Sequence, residues 1–402
     1  MVENAPGPQG AQASVHAASP PMWIERLRLT DFRNYSGLAL SVGPQPVVLT
    51  GANGSGKTNL LEALSLLTSG QGLRRAPYPE LVRSGRSAWA VAATVRTPLG
   101  SVDVGTGHDQ ADRSGRVVRI DGESRGGSGA LGDVIEMLWL TPAMDGLFTG
   151  PAGDRRRFLD RLVLCFDPGY RACLGQYERA MQQRNRLLGE DVREGARFEG
   201  FERVMAETGV AIAASRAATV AELRAAVDER RDAGGSGGFP WAEIALTGTL
   251  EADLETRAAV DVEDDFGRQL AQSREIDRAA GRTLIGPHRS DLLVGHGPKQ
   301  MPARVCSTGE QKALLVGLVL AHGKLVRQRC QGAAPVLLLD EIAAHLDPLR
   351  RARLFEEIMA LGSQAWMSGT DPEAFQALAT DAQFHRVEDG CVTAAGRSAG
   401  RP

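Results

Sequence analysis

In the stretch PVVLTGANGSGKTNLLEALSLLTS a compact apolar run ends at Gly51, a glycine-rich loop follows, and Leu60, Leu61, Ala63, Leu64 and Leu67 then recur at helical spacing. No other feature of the chain restricts its fold as much. The loop GANGSGKT, Gly51 to Thr58, has glycines where backbone N–H groups must turn toward a phosphate, and a lysine placed to neutralise its β and γ oxygens. The Thr58 hydroxyl suits a magnesium ion. We read Gly51, Ala52, Asn53, Gly54, Ser55, Gly56, Lys57, Thr58 and Asn59 as a nucleotide-binding loop between a strand and a helix, which commits the chain to an α/β fold.

Such a loop needs a metal-holding acid at the end of another buried strand. PVLLLDE supplies it: the apolar run ends at Asp340, the expected magnesium ligand, and Glu341, the expected base for an attacking water. A third element is the turn Ser307-Thr308-Gly309-Glu310-Gln311, which opens the long apolar run ALLVGLVLAHG, read as a buried helix. The first N–H groups of a helix lack partners and its dipole favours negative charge, so Ser307, Gly309 and Gln311 either hold an anion or cap a core helix.

Around these motifs the texture changes along the chain. Residues 1–21 are rich in Ala, Pro, Gly, Gln and Ser, without the basic start or apolar core of a secretory signal, and read as a disordered extension. Alternating runs from Met22, then AWAVAATVRT, GSVDVGTG and RVVRIDG, read as strands of a mixed sheet around one core helix. Arg155 to Ala233 is helical in composition, the Gly/Ser patch DAGGSGGFP marks a loop, and strands return at WAEIALTG, DLLVG and PVLLLDE. The expected organisation is a split ATPase head, 22–125 and 280–402, interrupted by a mostly helical lobe, 126–279. No apolar run is long enough to span a membrane, and five cysteines without metal spacing read as reduced thiols, so a soluble cytoplasmic protein is expected.

Phosphate loop, Ser-x-Gly helix start, strand ending Asp340-Glu341 and a loop with Leu346-Asp347 together resemble the ATP-binding cassette ATPases. That resemblance implies ATP and Mg2+ as cofactors, and a Ser307 turn that binds the γ-phosphate held by the P-loop of a second subunit, with Leu346 and Asp347 in an interface loop. The spacing from Lys57 to Ser307 exceeds that of a transporter cassette and, with no sustained heptads, excludes a long coiled-coil arm. LRLTDFRNY, GANGSGKTNLLEAL, TPAMDGLFTGPAGDRRRFLD, YERAMQQRNRLL, GPHRSDL, STGEQK and LLLDEIAAHLD, from Leu27 to Leu354, are similar to the RecF family of DNA recombination and repair proteins. The resemblance implies a slow Mg-dependent ATPase used as a switch in recombinational repair, replication-fork maintenance and the SOS response. It also implies an ATP-dependent homodimer clamped on DNA, acting with RecR and assisting RecA loading at SSB-coated gaps. Ala143, Ser290 and Ala344 stand where family members commonly carry an acid, an acid and a serine, which bears on hydrolysis rather than on ATP binding.

The formal net charge of −3 gives no global pull toward DNA, so any such partner must meet local basic clusters. Candidates are Arg26, Arg28 and Arg33, then Arg74 and Arg75, then Arg155, Arg156 and Arg157, and Arg184 with Arg186; each cluster either contacts phosphates or is solvated and paired with nearby acids. Sparse aromatics argue against a base-stacking platform. His288 and Arg289 either face the nucleotide or staple a turn. The rival readings are a soluble cassette ATPase serving a transporter and an ATP-glued scaffold without a DNA clamp.

Overall fold

The computed structural model describes residues 22–111, 115–167, 169–232, 239–330, 332–344 and 346–395. The extension expected over 1–21, most of the Gly/Ser loop before Phe239, and His345 lie outside the described residues. In chain order the elements begin β1 (Trp23–Phe32), β2 (Tyr35–Ser41), β3 (Val47–Thr50), α1 (Lys57–Ser65), β4 (Ala88–Thr97), β5 (Gly100–Asp109), β6 (Arg116–Ile120), β7 (Glu123–Arg125), α2 (Gly129–Gly132) and β8 (Met137–Leu140). The middle of the chain is α3 (Ala152–Leu164), α4 (Tyr170–Gly189), α5 (Ala196–Asp232), β9 (Ala242–Thr247), α6 (Thr249–Leu254), α7 (Ala259–Gln272) and α8 (Arg274–Ala280). It closes with β10 (Asp291–His296), β11 (Met301–Pro302), α9 (Thr308–Arg329), β12 (Val336–Leu339), α10 (Pro348–Leu361), β13 (Ala365–Gly369), β14 (Gln383–Glu388) and β15 (Cys391–Ala394).

The strands near the start do not form one sheet. β1, β2 and β4 to β7 make an antiparallel sheet in the order β2-β1-β4-β5-β6-β7, whereas β3 is the centre of a second sheet, β15-β14-β3-β13-β12-β8. The pattern explains the split. β1 and β4 alternate buried and exposed residues, as a sheet with one solvated face requires, while Val47–Thr50 is buried on both faces and pairs in parallel with β13 and β14. A register shift between Ile24 and Arg26 lets Ile24 and Leu27, three apart, both point inward.

The parallel strands carry two cores on their two faces. Leu49, Leu338 and Trp366 pack with Leu60, Leu61 and Leu64 of α1 and with Leu27, Leu29 and Val91 of the antiparallel sheet. Val48, Leu337, Leu339 and Met367 pack on the opposite face with Leu314, Leu318 and Ala321 of α9 and Leu159 and Leu162 of α3. The apolar run after Ser307 is thus a core helix, buried nearly all round.

β8 changes the expected boundary. Met137–Leu140 pairs in parallel with β12, so a strand assigned by sequence to the helical lobe belongs to the head sheet. Four apolar residues carry too little periodicity to tell a buried strand from a helix turn. Beyond it, α4, α5 and α7 pack together, and β9 pairs with β10, stitching the insertion to the returning head segment.

Arg184 is corrected from a surface cation to a core residue. It is fully buried, 2.7 Å from Asp277 and 3.1 Å from Glu202, and donates to Thr283 Oγ1 and the Leu270 carbonyl. A helical stripe of Arg and Leu does not reveal on which side an arginine with a distant acidic partner will lie.

Candidate nucleotide-binding site

The P-loop leaves β3 at Gly51 and enters α1 at Lys57. Gly51, Gly54 and Gly56 have φ of 154°, 82° and 118°, left-handed or extended-positive values that L side chains rarely adopt. A Cβ on Gly51 would lie 2.2 Å from the Val387 carbonyl, and one on Gly56 2.6 Å from Asn34 Nδ2. The loop is also held from behind. Asn34 Nδ2 donates to the Ser55 carbonyl (3.1 Å), the buried Tyr35 hydroxyl to the Gly56 carbonyl (3.0 Å) and Asn59 Nδ2 to Asn34 Oδ1 (2.8 Å). The turn between β1 and β2 is therefore a buttress; sequence reasoning caught it only as part of LRLTDFRNY.

Lys57 Nζ donates to the Gly51 and Ala52 carbonyls at 2.8 and 3.1 Å and lies 3.6 Å from Glu341 Oε1. Thr58 Oγ1 donates to Asp340 Oδ1 (3.0 Å), and so does Ser368 Oγ (2.6 Å), while the Glu341 N–H donates to Ser368 Oγ (2.9 Å). Ser368, at the end of β13, had no sequence signal beyond a strand end. A hydroxyl and a carboxylate converging from α1 and β12 are the hard oxygen donors a magnesium ion takes. Among the described residues the buried Ser55 hydroxyl has no hydrogen-bond partner, which leaves one loop donor for a phosphate. The residues present therefore fit a nucleoside triphosphate with its metal: the loop from Gly51 to Thr58 would hold the phosphates and Thr58 and Asp340 the ion, which supplies charge neutralisation at the β and γ oxygens.

Glu341 adopts φ of 48°, a left-handed conformation costing on the order of 1 to 2 kcal/mol for a residue with a side chain. Three contacts hold it: Lys57 at its carboxylate, Ser368 at its N–H and Lys312 Nζ at its carbonyl, 3.3 Å away. Lys312 is buried on α9, and Asp145 Oδ2 is 3.8 Å from its amine. Burial lowers this amine below the usual lysine range, opposed by the charges of Asp145, Glu341 and Asp340.

The Ser307 turn is a capped helix start on the surface. Ser307 Oγ accepts from the Glu310 N–H (3.4 Å) and Glu310 Oε2 accepts from the Ser307 N–H (3.0 Å), a capping box. Lys299 pairs with Glu310 and, with the bond from Ser307, holds that carboxyl down at about 2. Ser307 is exposed and Gly309 half-buried, whereas Gln311 is buried, its Nε2 donating to the Cys306 carbonyl (2.8 Å). Gln311 thus shapes the turn from inside. Among the described residues no hydrogen bond or ion pair joins Ser307 or Gly309 to the P-loop. Leu346 is buried, and Asp347 caps α10, accepting from the Arg350 N–H.

The arginines divide. Arg155 is spent internally in a bidentate pair with Asp291 (2.8 Å each), and Arg156 donates to the Ser290 carbonyl, so both tie α3 to the GPHRSDL segment. Arg157 pairs with the neighbouring Asp154, and Arg74 with Asn59 and Glu62. Arg75 is exposed and has no ion-pair partner among the described residues. His288 staples a turn, bonded to the Tyr177 hydroxyl (2.8 Å) and the Thr283 carbonyl (3.0 Å). Ala143 is exposed in the turn after β8, and Ala344 is half-buried.

A P-loop on a parallel strand, an acid pair at the end of β12 with β13 between the two in the same sheet, and a Ser-x-Gly helix start on the opposite layer define a P-loop ATPase head of the cassette and SMC class. Residues 23–393 match the model of the RecF/RecN/SMC N terminal domain. The chain is 54% identical over 371 residues to the DNA replication and repair protein RecF of Mesorhizobium japonicum, covering 92% of this chain and 97% of that one. It is 51% identical over 372 residues to RecF of Brucella suis, covering 92% and 96%. The chain belongs to the RecF family. Its fold superposes on the recombination mediator protein RecF-ATPrS of the RecFOR pathway with a TM-score of 0.82 at 23% identity, covering 95% of this chain and 100% of that one. An Smc head domain from Pyrococcus furiosus gives 0.53 at 16% identity, covering 93% and 96%.

Proposed function

We propose that the chain is an ATP-dependent DNA-binding protein of recombinational repair and replication-fork maintenance, in which ATP drives two copies together into a clamp on DNA. The observation that carries this reading is the surface Ser307 turn: the exposed N-terminus of a long helix, the end that favours an anion, with no bond among the described residues to the P-loop of its own chain. A second copy would bring its γ-phosphate to that turn. The names of the relatives, DNA replication and repair proteins, and a RecF structure described with ATP support the reading.

Hydrolysis is a slow, magnesium-dependent switch. A water oxygen bonds to the γ-phosphorus as the bond to the bridging oxygen breaks, ADP leaves with that electron pair, and Glu341 takes the water's proton. Lys57 neutralises the phosphate charge; its two carbonyl contacts are the ones a phosphate would replace. Arg26, Arg28 and Arg75, exposed and without an ion pair among the described residues, are the candidate cations left free for DNA phosphates, with Arg74 and Arg157 beside weaker surface pairs. Arg155 is not part of this proposal because its guanidinium is paired with Asp291, and Arg156, half-buried with one bond to the Ser290 carbonyl, is a weaker candidate. The family's partners RecR, RecA and SSB, and a cytoplasmic setting, complete the reading.

Glu341→Gln tests it. With ATP and a labelled duplex, the variant is expected to stay on DNA after a chase while the wild type is released, read by fluorescence anisotropy. Equal release of both would contradict a switch driven by hydrolysis.

A further inference from the structure

Glu341 sits in a strained left-handed conformation held from three sides, and one of the three holds comes from the helix that begins at the Ser307 turn. Lys312 lies five residues past Ser307 on α9, in the first part of a 22-residue helix packed in the core. A core helix of this kind moves as a body, so a displacement of its first turn is felt at Lys312. Among the described residues the Lys312 ammonium makes two polar contacts, with the Glu341 carbonyl at 3.3 Å and the Asp145 carboxylate at 3.8 Å, in a small cavity lined also by Thr141, Leu315, Asp340 and Ile342. Neither contact is short. An ammonium has three donors, and these two loose contacts leave room for a small shift of α9 to tighten or release them.

Asp145 belongs to the same turn as Ala143. The loop that lacks an acid at 143 therefore supplies one two residues later, and the structure turns it toward α9. Three elements meet at one amine: the turn after β8 through Asp145, α9 through Lys312, and the acid pair after β12 through Glu341.

We propose that Lys312 is a positioning residue for hydrolysis that acts through Glu341, with Asp145 as its counter-ion, so that seating of the Ser307 turn sets the Glu341 carboxylate. This rests on the reading of Glu341 as the base for the attacking water. Lys312 touches neither the phosphate loop nor the expected metal ligand by a hydrogen bond, so its loss should spare nucleotide binding.

The test compares full-length wild type with Lys312→Met, Lys312→Arg, Asp145→Asn and the Lys312→Met, Asp145→Asn double variant. The readouts are kcat and KM for ATP, affinity for a fluorescent ATP analogue, and molar mass with a non-hydrolysable analogue. Lys312→Met is expected to lower kcat about tenfold or more with KM and analogue affinity within about twofold, and with analogue-dependent mass unchanged. Lys312→Arg should recover most of that loss, and the double variant should be no slower than Lys312→Met alone. Unchanged kcat in Lys312→Met beside an active wild type would overturn this inference and leave the function standing. So would loss of kcat, affinity and mass together without rescue by arginine, which marks a structural role. A wild type with no ATP turnover at all would overturn the proposed enzyme and this inference together.

Discussion

Tyr35 and Asn34 show how far a phosphate loop depends on side chains outside its motif. Both reach the loop carbonyls from the β1–β2 turn, so they fix the path that lets the loop N–H groups point the other way. Tyr35→Phe removes one buried hydrogen bond worth about 1 kcal/mol and should weaken nucleotide binding by about fivefold, measured by titration with a fluorescent analogue. Arg184 belongs to the same scale. Arg184→Met leaves Asp277 buried without its cation and Glu202 with Arg274 alone, and should cost about 3 kcal/mol in a urea titration. Glu136, at the entry to β8, gives a pH signature. Burial pushes its carboxyl up to about 8, opposed by Cys165 and Arg171. The folded state therefore binds this proton more tightly than the unfolded chain, and stability falls as pH rises from about 4.5 through about 8. Glu136→Gln should melt with the wild type near pH 5 and above it at pH 8.5.

Among the elements, β3, α1, β12 and α9 were legible because each joins a strong periodic or continuous apolar signal to a motif whose chemistry needs that context. The same signals imply that Lys57, Thr58, Asp340 and Glu341 lie near one another, and the bond from Thr58 to Asp340 is the structural counterpart. What stayed hidden depends on long-range pairing. That β3 leaves the first sheet, that Met137–Leu140 joins the second, and that Arg155 meets Asp291 across the insertion are facts about partners far apart in sequence. Periodicity records which face is apolar and nothing about what covers it. Gln311 is the same lesson in one side chain: its position in the turn suggested a ligand contact, while its burial gives it the Cys306 carbonyl. The capping box also belongs here. Glu310→Ala removes its half of the box and the pair with Lys299, and should destabilise the start of α9 by about 1 kcal/mol in thermal melts.

For the molecule as a whole, two sheets stacked across α1 and a helical lobe stitched back by β9 and β10 put the P-loop and the Ser307 turn on separate elements of one chain. In the proposed clamp each chain carries two half-sites, which a second copy would complete when ATP is bound. Molar mass by light scattering during gel filtration, with magnesium and either ADP or a non-hydrolysable ATP analogue, tests this most directly. The wild type is expected to be a monomer with ADP and a dimer with the analogue, and Ser307→Arg a monomer with both nucleotides, still binding the analogue where Lys57→Ala does not. A wild type that stays monomeric with the analogue, or a Ser307→Arg variant that still dimerises, would contradict the clamp.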